Sequence, residues 1–171
     1  MKTIYIFSFC LLYLFSCINL SAQYLNEVIT KWENATSYTL DIADLMPAEH
    51  YEYRPTPEIM SFAEQLLHMT ANMNWLGNSY LNANSHSVSE LDSVSGKEDI
   101  LTVLNEGFEN AVMAFKNISI EELDDEVEFF AGPMTKRQII HLMNDHLTHH
   151  RGQLIIYLRM KGIKPPRYVG W

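Results

Sequence analysis

The chain has 171 residues, with 12 basic and 21 acidic side chains and a formal net charge of −9. An acidic chain without a basic stripe repels phosphate backbones, so nucleic acid is excluded as a partner. Both cysteines, Cys10 and Cys17, lie near the amino terminus, so the rest of the chain has no disulfide, thiol nucleophile or thiolate metal ligand.

The first 22 residues have the pattern of a secretory signal peptide. Lys2 precedes an apolar run over residues 4–14, and small residues lead up to Ala22, where a signal peptidase would cut. The run is too short and too poorly flanked for a lasting transmembrane helix. We therefore expect residues 1–22 to be a signal peptide, residues 23–171 to form one domain without a membrane span, and the protein to be periplasmic or extracellular.

A lipoprotein signal is the alternative interpretation of the same segment. Cys17 would then be the acylation site that anchors the protein, although Phe15 fits this motif poorly. In either case the domain itself lacks cysteine, and any metal site in it must use histidine, carboxylate, backbone or water.

Glycine and proline separate four long segments with helical periodicity, which cover about residues 24–46, 57–81, 97–117 and 136–161. Thr56 is predicted to cap the second helix, with Pro57 at its first position. Thr135 is predicted to cap the fourth helix, and Gly162 to end it. Val127–Phe130 is the main strand-like stretch. The pattern predicts an all-α four-helix bundle, whose core commonly holds metals between facing helices.

His146 and His150 are four residues apart on the predicted fourth helix. This spacing stacks two side chains on one face, about one turn apart. A helical projection places both on or beside the apolar stripe, whereas His141 and His149 point away from it. Neutral imidazoles can bind one divalent transition metal, such as zinc, nickel, copper or iron. The other interpretation is a packed pair that is satisfied within the core.

His68 is a candidate third ligand on the predicted second helix, where it lies on a second apolar face. Spacing alone does not distinguish this role from that of a polar histidine between helices. Glu64 and Asp145 lie near the histidines and could orient a ligand or act as a base, but solvent-facing charges are the favoured interpretation. The catalytic residues stay unknown, because the chain has no nucleophile elbow, phosphate-binding glycine loop or His-Glu-x-x-His run.

The run from His146 to Gln153, followed by Tyr157-Leu158-Arg159 and Pro165-Pro166, resembles the last helix of the DinB/YfiT-like superfamily. Tyr53-Arg54-Pro55 and then Leu66-Leu67-His68 resemble the approach to the first metal histidine of that family. The resemblance covers about residues 24–171. It implies a four-helix bundle with an open site in which three histidines, His68, His146 and His150, bind a divalent metal. Zinc and nickel are the leading candidates, with iron or manganese as alternatives.

The family's assigned activities are thiol-dependent transfer and isomerisation, and metal-dependent hydrolysis. Small cytosolic thiols would be scarce for an exported protein, so the resemblance together with the signal favours a hydrolase that acts through metal-activated water. The alternatives are a thiol-dependent transferase, a non-catalytic metal-binding stress-response module and a purely structural bundle. The small-molecule substrate is unknown. Relatives are often dimers, which leaves a homodimer open.

Overall fold

The computed structural model describes the backbone of residues 2–83 and 88–171, and the side chains of residues 23–83 and 91–171. Over these residues the chain forms four α-helices: α1 (Lys2–Leu45), α2 (Phe62–Tyr80), α3 (Lys97–Asn117) and α4 (Lys136–Met160). Short 3-10 helices cover Ala48–His50, Val88–Ser93 and Glu121–Asp124. Strands β1 (Glu126–Val127) and β2 (Met134–Thr135) pair in antiparallel fashion before α4. The predicted all-α bundle is confirmed.

The core lies where α1 and α2 pack against α3 and α4. Trp32 of α1 is 1% exposed and packs edge-on against two aromatic rings of α3. Its ring centroid is 6.0 Å from that of Phe108 and 5.1 Å from that of Phe115. Edge-to-face packing suits aromatic quadrupoles and adds to the apolar area that the pair buries. This cluster packs α1 against α3, and α2 packs in turn against both α3 and α4.

The predicted start of α2 at Pro57, with Thr56 as its cap, is wrong. Residues 56–59 form a turn in which the Ile59 amide lies 3.4 Å from the Thr56 carbonyl oxygen. The helix begins at Phe62 because Ser61 closes a capping box. The Glu64 amide donates to Ser61 Oγ over 3.2 Å, and the Ser61 amide donates to Glu64 Oε2 over 2.7 Å. Two otherwise unpaired amides are thus satisfied at once, which a Thr-Pro start does not achieve.

The predicted ends of α4 are confirmed. Thr135 caps its start through a second capping box, with Gln138 as the reciprocal partner. At the other end Gly162 has a φ of +74°, a left-handed conformation that favours glycine. The Ile163 amide donates to the Leu158 carbonyl over 2.9 Å, and the Gly162 amide donates to the Arg159 carbonyl over 3.0 Å. This is a Schellman motif, which satisfies the last carbonyls of the helix.

The connection between α3 and α4 contains less strand than predicted. Strand β1 ends at Val127. Beyond the strand, Phe129 is buried, whereas Phe130 is 83% exposed.

Glu122, earlier in the same connection, accepts a hydrogen bond from the Ser119 amide over 2.8 Å and forms an ion pair with Lys136 over 3.0 Å. The Ser119 amide, helped by Lys136, lowers the pKa of the Glu122 carboxyl to about 2.

The amino-terminal helix is longer than predicted, since α1 begins at Lys2 rather than near Tyr24. The apolar run of the expected signal peptide continues directly into the bundle helix. The side chains of residues 2–22, including Cys17, lie outside those described, so the signal stays a prediction. Within the part of the chain that the structure describes, no helix is long and apolar enough to cross a membrane.

Candidate metal centre

Helices α2 and α4 run in opposite directions along one another. Side-chain contacts join Gln65 to Gln153 and His68 to His146, so the residue number rises on one helix as it falls on the other. Beyond the glutamine pair, the Tyr157 hydroxyl donates to the Met60 carbonyl over 2.9 Å. This register fixes which residues of the two helices meet.

The register brings together His68, His146 and His150. Nε2 of His68 lies 3.1 Å from Nε2 of His146. The ring centroid of His68 is 4.9 Å from that of His146 and 4.7 Å from that of His150, and the two rings of α4 are 4.5 Å apart. One ring nitrogen of each histidine lies within 4.8 Å of the others. The second apolar face of α2 therefore does direct His68 toward α4.

Burial keeps these three imidazoles neutral. It lowers the pKa of His68, and together with repulsion from His68 and His149 it lowers the pKa of His146 to about 4. Burial, followed by repulsion from His146, also lowers the pKa of His150 to about 4. Desolvation disfavours the charged form of histidine, and each neighbouring imidazole adds a like charge when protonated. The cluster thus presents lone pairs at neutral pH.

Two glutamines that were not predicted from the sequence support the cluster. Nδ1 of His150 contacts Oε1 of Gln65, and Nε2 of Gln65 donates to Oε1 of Gln153 over 2.5 Å. Nε2 of Gln153 lies 2.8 Å from Nε2 of His149. A signal for them was present, because Gln65 precedes His68 by one helical turn and Gln153 follows His150 by one turn. The pairing itself depends on the α2–α4 register.

The other candidates do not belong to the group of three. His141 and His149 are exposed, as predicted, although the ring of His149 lies with its centroid 4.9 Å from that of His150. Glu64 is also exposed; it closes the capping box of α2 and pairs with Arg54 over 3.0 Å. Asp145 is exposed as well, so the prediction of solvent-facing carboxylates is confirmed. Among the described residues, the cluster contains histidine alone.

The donor set fits a divalent transition metal. Tetrahedral ligands at about 2.0–2.1 Å from zinc lie about 3.3 Å apart, and the Nε2 atoms of His68 and His146 are 3.1 Å apart. Neutral imidazole is a suitable ligand for zinc, nickel, copper and iron. Three nitrogen ligands leave further coordination positions for water or substrate, as in catalytic rather than structural sites.

A separate groove of about 680 Å³ lies between α1 and α3. Acidic and apolar side chains line it, including Asp41, Glu109 and Met113, and it contains none of the three clustered histidines. Hydroxyl and carboxylate side chains lie on its walls, but among the described residues no group of them is close enough together to hold a metal. The chemistry of the described residues is therefore concentrated at the histidine cluster rather than in this groove.

The fold and the site together place the chain among helical bundle proteins in which histidines of two antiparallel helices can hold a metal. The chain belongs to the DinB family, whose model matches residues 21–170. This match confirms the family resemblance of the sequence.

The similarity to known proteins covers most of the chain. The chain is 25% identical over 141 residues to the uncharacterized protein YjoA of Bacillus subtilis, covering 80% of this chain and 90% of that protein. The crystal structure of YjoA superposes with a TM-score of 0.70 at 22% identity, covering 83% of this chain and 96% of YjoA. A DinB-like protein from Bacillus cereus gives a TM-score of 0.74 at 18% identity, with 83% and 95% covered. These structures support the fold.

Proposed function

We propose that the protein is an exported, metal-dependent hydrolase whose metal is bound by His68, His146 and His150. The observation that carries the proposal is the convergence of three neutral imidazoles from two helices, with one ring nitrogen of each within 4.8 Å of the others. Family membership is consistent with it. The proposal includes a signal peptide over residues 1–22 and a single domain over residues 23–171.

Each part of the site has a distinct role in this mechanism. The three histidines would hold a divalent metal through lone pairs that burial keeps free of protons. The metal would supply Lewis-acid chemistry, polarising a carbonyl oxygen and lowering the pKa of water toward neutrality. The helices hold these side chains before the metal arrives, which lowers the ordering cost of binding. Gln65 contacts the buried edge of His150 and limits rotation of that ring.

Metal binding is tested on protein purified without an affinity tag. We expect about one zinc or nickel ion per chain by elemental analysis and by titration of the metal-free protein. His68→Ala should remove most of this binding, whereas the exposed His141→Ala is the matched control and should retain it. Equal metal content in all three proteins, or none in any of them, would contradict the proposed centre.

Activity is tested separately with a panel of esters, amides and thiol conjugates. The proposal expects metal-dependent hydrolysis that a chelator abolishes and that His68→Ala lacks. A second candidate function, a non-catalytic metal-binding module, is favoured by the absence of a carboxylate base from the cluster within the described residues. A metal-loaded protein that turns over no member of the panel would support that module, and thiol-dependent transfer would support a transferase.

Export is tested by mass spectrometry of the mature amino terminus. A chain that begins at Gln23 supports the signal peptide, and a lipid-modified Cys17 supports the lipoprotein alternative. An intact Met1 would refute both forms of export and would remove the argument for a hydrolase over a thiol-dependent enzyme.

A further inference from the structure

A chain of hydrogen bonds leads from the buried edge of His150 to the surface. His150 contacts Gln65, Gln65 donates to Gln153 over 2.5 Å, and Gln153 reaches the exposed His149 over 2.8 Å. The chain crosses from α4 to α2 and back again. Gln65 is only 2% exposed, so water cannot readily replace either of its partners.

We propose that Gln65 and Gln153 are positioning residues that hold His150 in the tautomer with its proton on Nδ1, leaving the lone pair on Nε2 for the metal. This inference rests on the proposed metal centre and adds to it. The Gln65 amide contacts Nδ1 of His150, and Gln153 acts on this ring only through Gln65.

The chemistry of the amide groups supplies the reason. Oε1 of Gln65 only accepts hydrogen bonds, so its contact with Nδ1 requires a proton on that nitrogen. A neutral imidazole carries one proton, and its Nε2 then has a free lone pair. Hydrogen bonds to the second ring nitrogen commonly fix the tautomer of a metal-binding histidine.

Gln153 determines which way the side-chain amide of Gln65 is oriented. Its Oε1 accepts from Nε2 of Gln65, which leaves Oε1 of Gln65 to face His150. Rotating only one of the two side-chain amides by half a turn would place two NH₂ groups or two carbonyl oxygens of Gln65 and Gln153 against each other. Both amides must therefore rotate together. The reversed chain would donate from Gln65 to Nδ1 of His150 and force the proton onto Nε2. In that state a proton would occupy Nε2 of His150, which could not bind a metal. Metal binding and the observed orientation of the two amides therefore favour each other.

The position of Gln65 on α2 agrees with this role. Gln65 lies one turn before His68 on α2, so one helix supplies both a clustered histidine and the support of another. A buried amide that loses a partner costs stability, and the two glutamines satisfy each other as well as His150. Substitution of Gln65 should therefore alter His150 through lost hydrogen bonds rather than through lost volume.

The first test needs no metal. Long-range ¹H–¹⁵N NMR of the metal-free protein reports the tautomer of each histidine, and the spectrum of His150→Ala identifies the signals of His150. We expect the Nδ1–H tautomer in the wild type. Gln65→Met, which is similar in size but has no amide, should increase the Nε2–H tautomer. Gln65→Glu keeps the acceptor oxygen that faces Nδ1, and with the Gln153 amide reversed to donate to the second carboxylate oxygen it should restore Nδ1–H. An Nε2–H tautomer in the wild type, or no change in Gln65→Met, would overturn the inference.

The second test measures zinc dissociation constants for the same folded variants. Loss of a hydrogen-bond partner of a ligand typically weakens metal binding about 10- to 100-fold. We expect a loss of that size for Gln65→Met, a smaller loss for Gln153→Met and recovery in Gln65→Glu. Unchanged affinity in Gln65→Met would count against the positioning role. A wild type that binds no zinc would refute the metal centre, and the tautomer measurement would still decide the inference about Gln65.

Discussion

Replacement of Gly152 by alanine should stabilise the protein. Gly152 is an exposed residue within α4, and a Cβ built on it meets no atom within 4 Å. Alanine is about 1 kcal/mol more favourable than glycine in a helix interior, because it leaves fewer conformations open to the unfolded chain. Because the added methyl group has no steric cost, nearly all of this gain, about 1 kcal/mol, should appear as a larger free energy of unfolding. For a domain of this size the melting temperature should rise by about 2–4 °C.

Gly107→Ala provides the matched control, because it adds the same methyl group to another helix. Gly107 is buried in α3, and its Cβ would lie 3.2 Å from both Cε of Met73 and Cγ2 of Thr70. Thr70 is 1% exposed and its side chain is stiff, so it cannot easily retreat. We expect overpacking against α2 to cancel the gain in helix propensity.

The assay is thermal and urea unfolding of both variants in the metal-free state, so that metal affinity does not enter. A lower melting temperature for Gly152→Ala would show that the methyl group meets something along α4 and would refute the reasoning. An equal gain for Gly107→Ala would show that α2 and α3 are less tightly packed than the distances require.

Three further predictions concern caps and titrating groups. Ser61→Ala should cost about 1 kcal/mol through loss of the α2 capping box, whereas Ser79→Ala, at an exposed position of the same helix, should be nearly neutral in urea unfolding. The pKa of Glu122 is lowered to about 2, so its contribution to stability is complete above the unfolded pKa and is lost as the pH falls through about 2. Glu122→Gln should therefore be less stable than the wild type at pH 7 but not near pH 2; Glu121→Gln is its control, and a difference that persists at pH 2 would contradict the assignment. The pKa of His146 is lowered to about 4, so the metal-free protein should lose stability as the pH falls from about 6.5 to 4. His146→Leu should make the urea midpoint depend less on pH over that range, with the remainder due to the lowered pKa values of His68 and His150. An unchanged slope would count against burial of the His146 imidazole.

The local parts of the site could be predicted from the sequence because helical geometry alone determines them. His146 and His150 share a face at a spacing of four residues, and the same projection separated them from His141 and His149. The direction of His68 could not be derived in this way, since it depends on how α2 packs against α4. The family resemblance supplied it, and the 3.1 Å contact with His146 now accounts for it.

Two features escaped prediction for different reasons. The role of Gln65 depends on the α2–α4 register, which no pattern within one helix contains. The start of α2 was mispredicted because two helix-start signals lie close together in the chain. A Thr-Pro pair satisfies fewer amides than the reciprocal bonds of Ser61 and Glu64, and the stronger cap determined where the helix begins.

The contact between His68 and His146 joins points that are 78 residues apart in the chain. An ion held by both would close a large loop of the unfolded chain and would act as a cross-link within residues 23–171, which contain no cysteine. Unlike a disulfide, this link would open with a chelator and would be insensitive to reductants. The stability of the fold would then follow the concentration of free metal rather than the redox state of its surroundings.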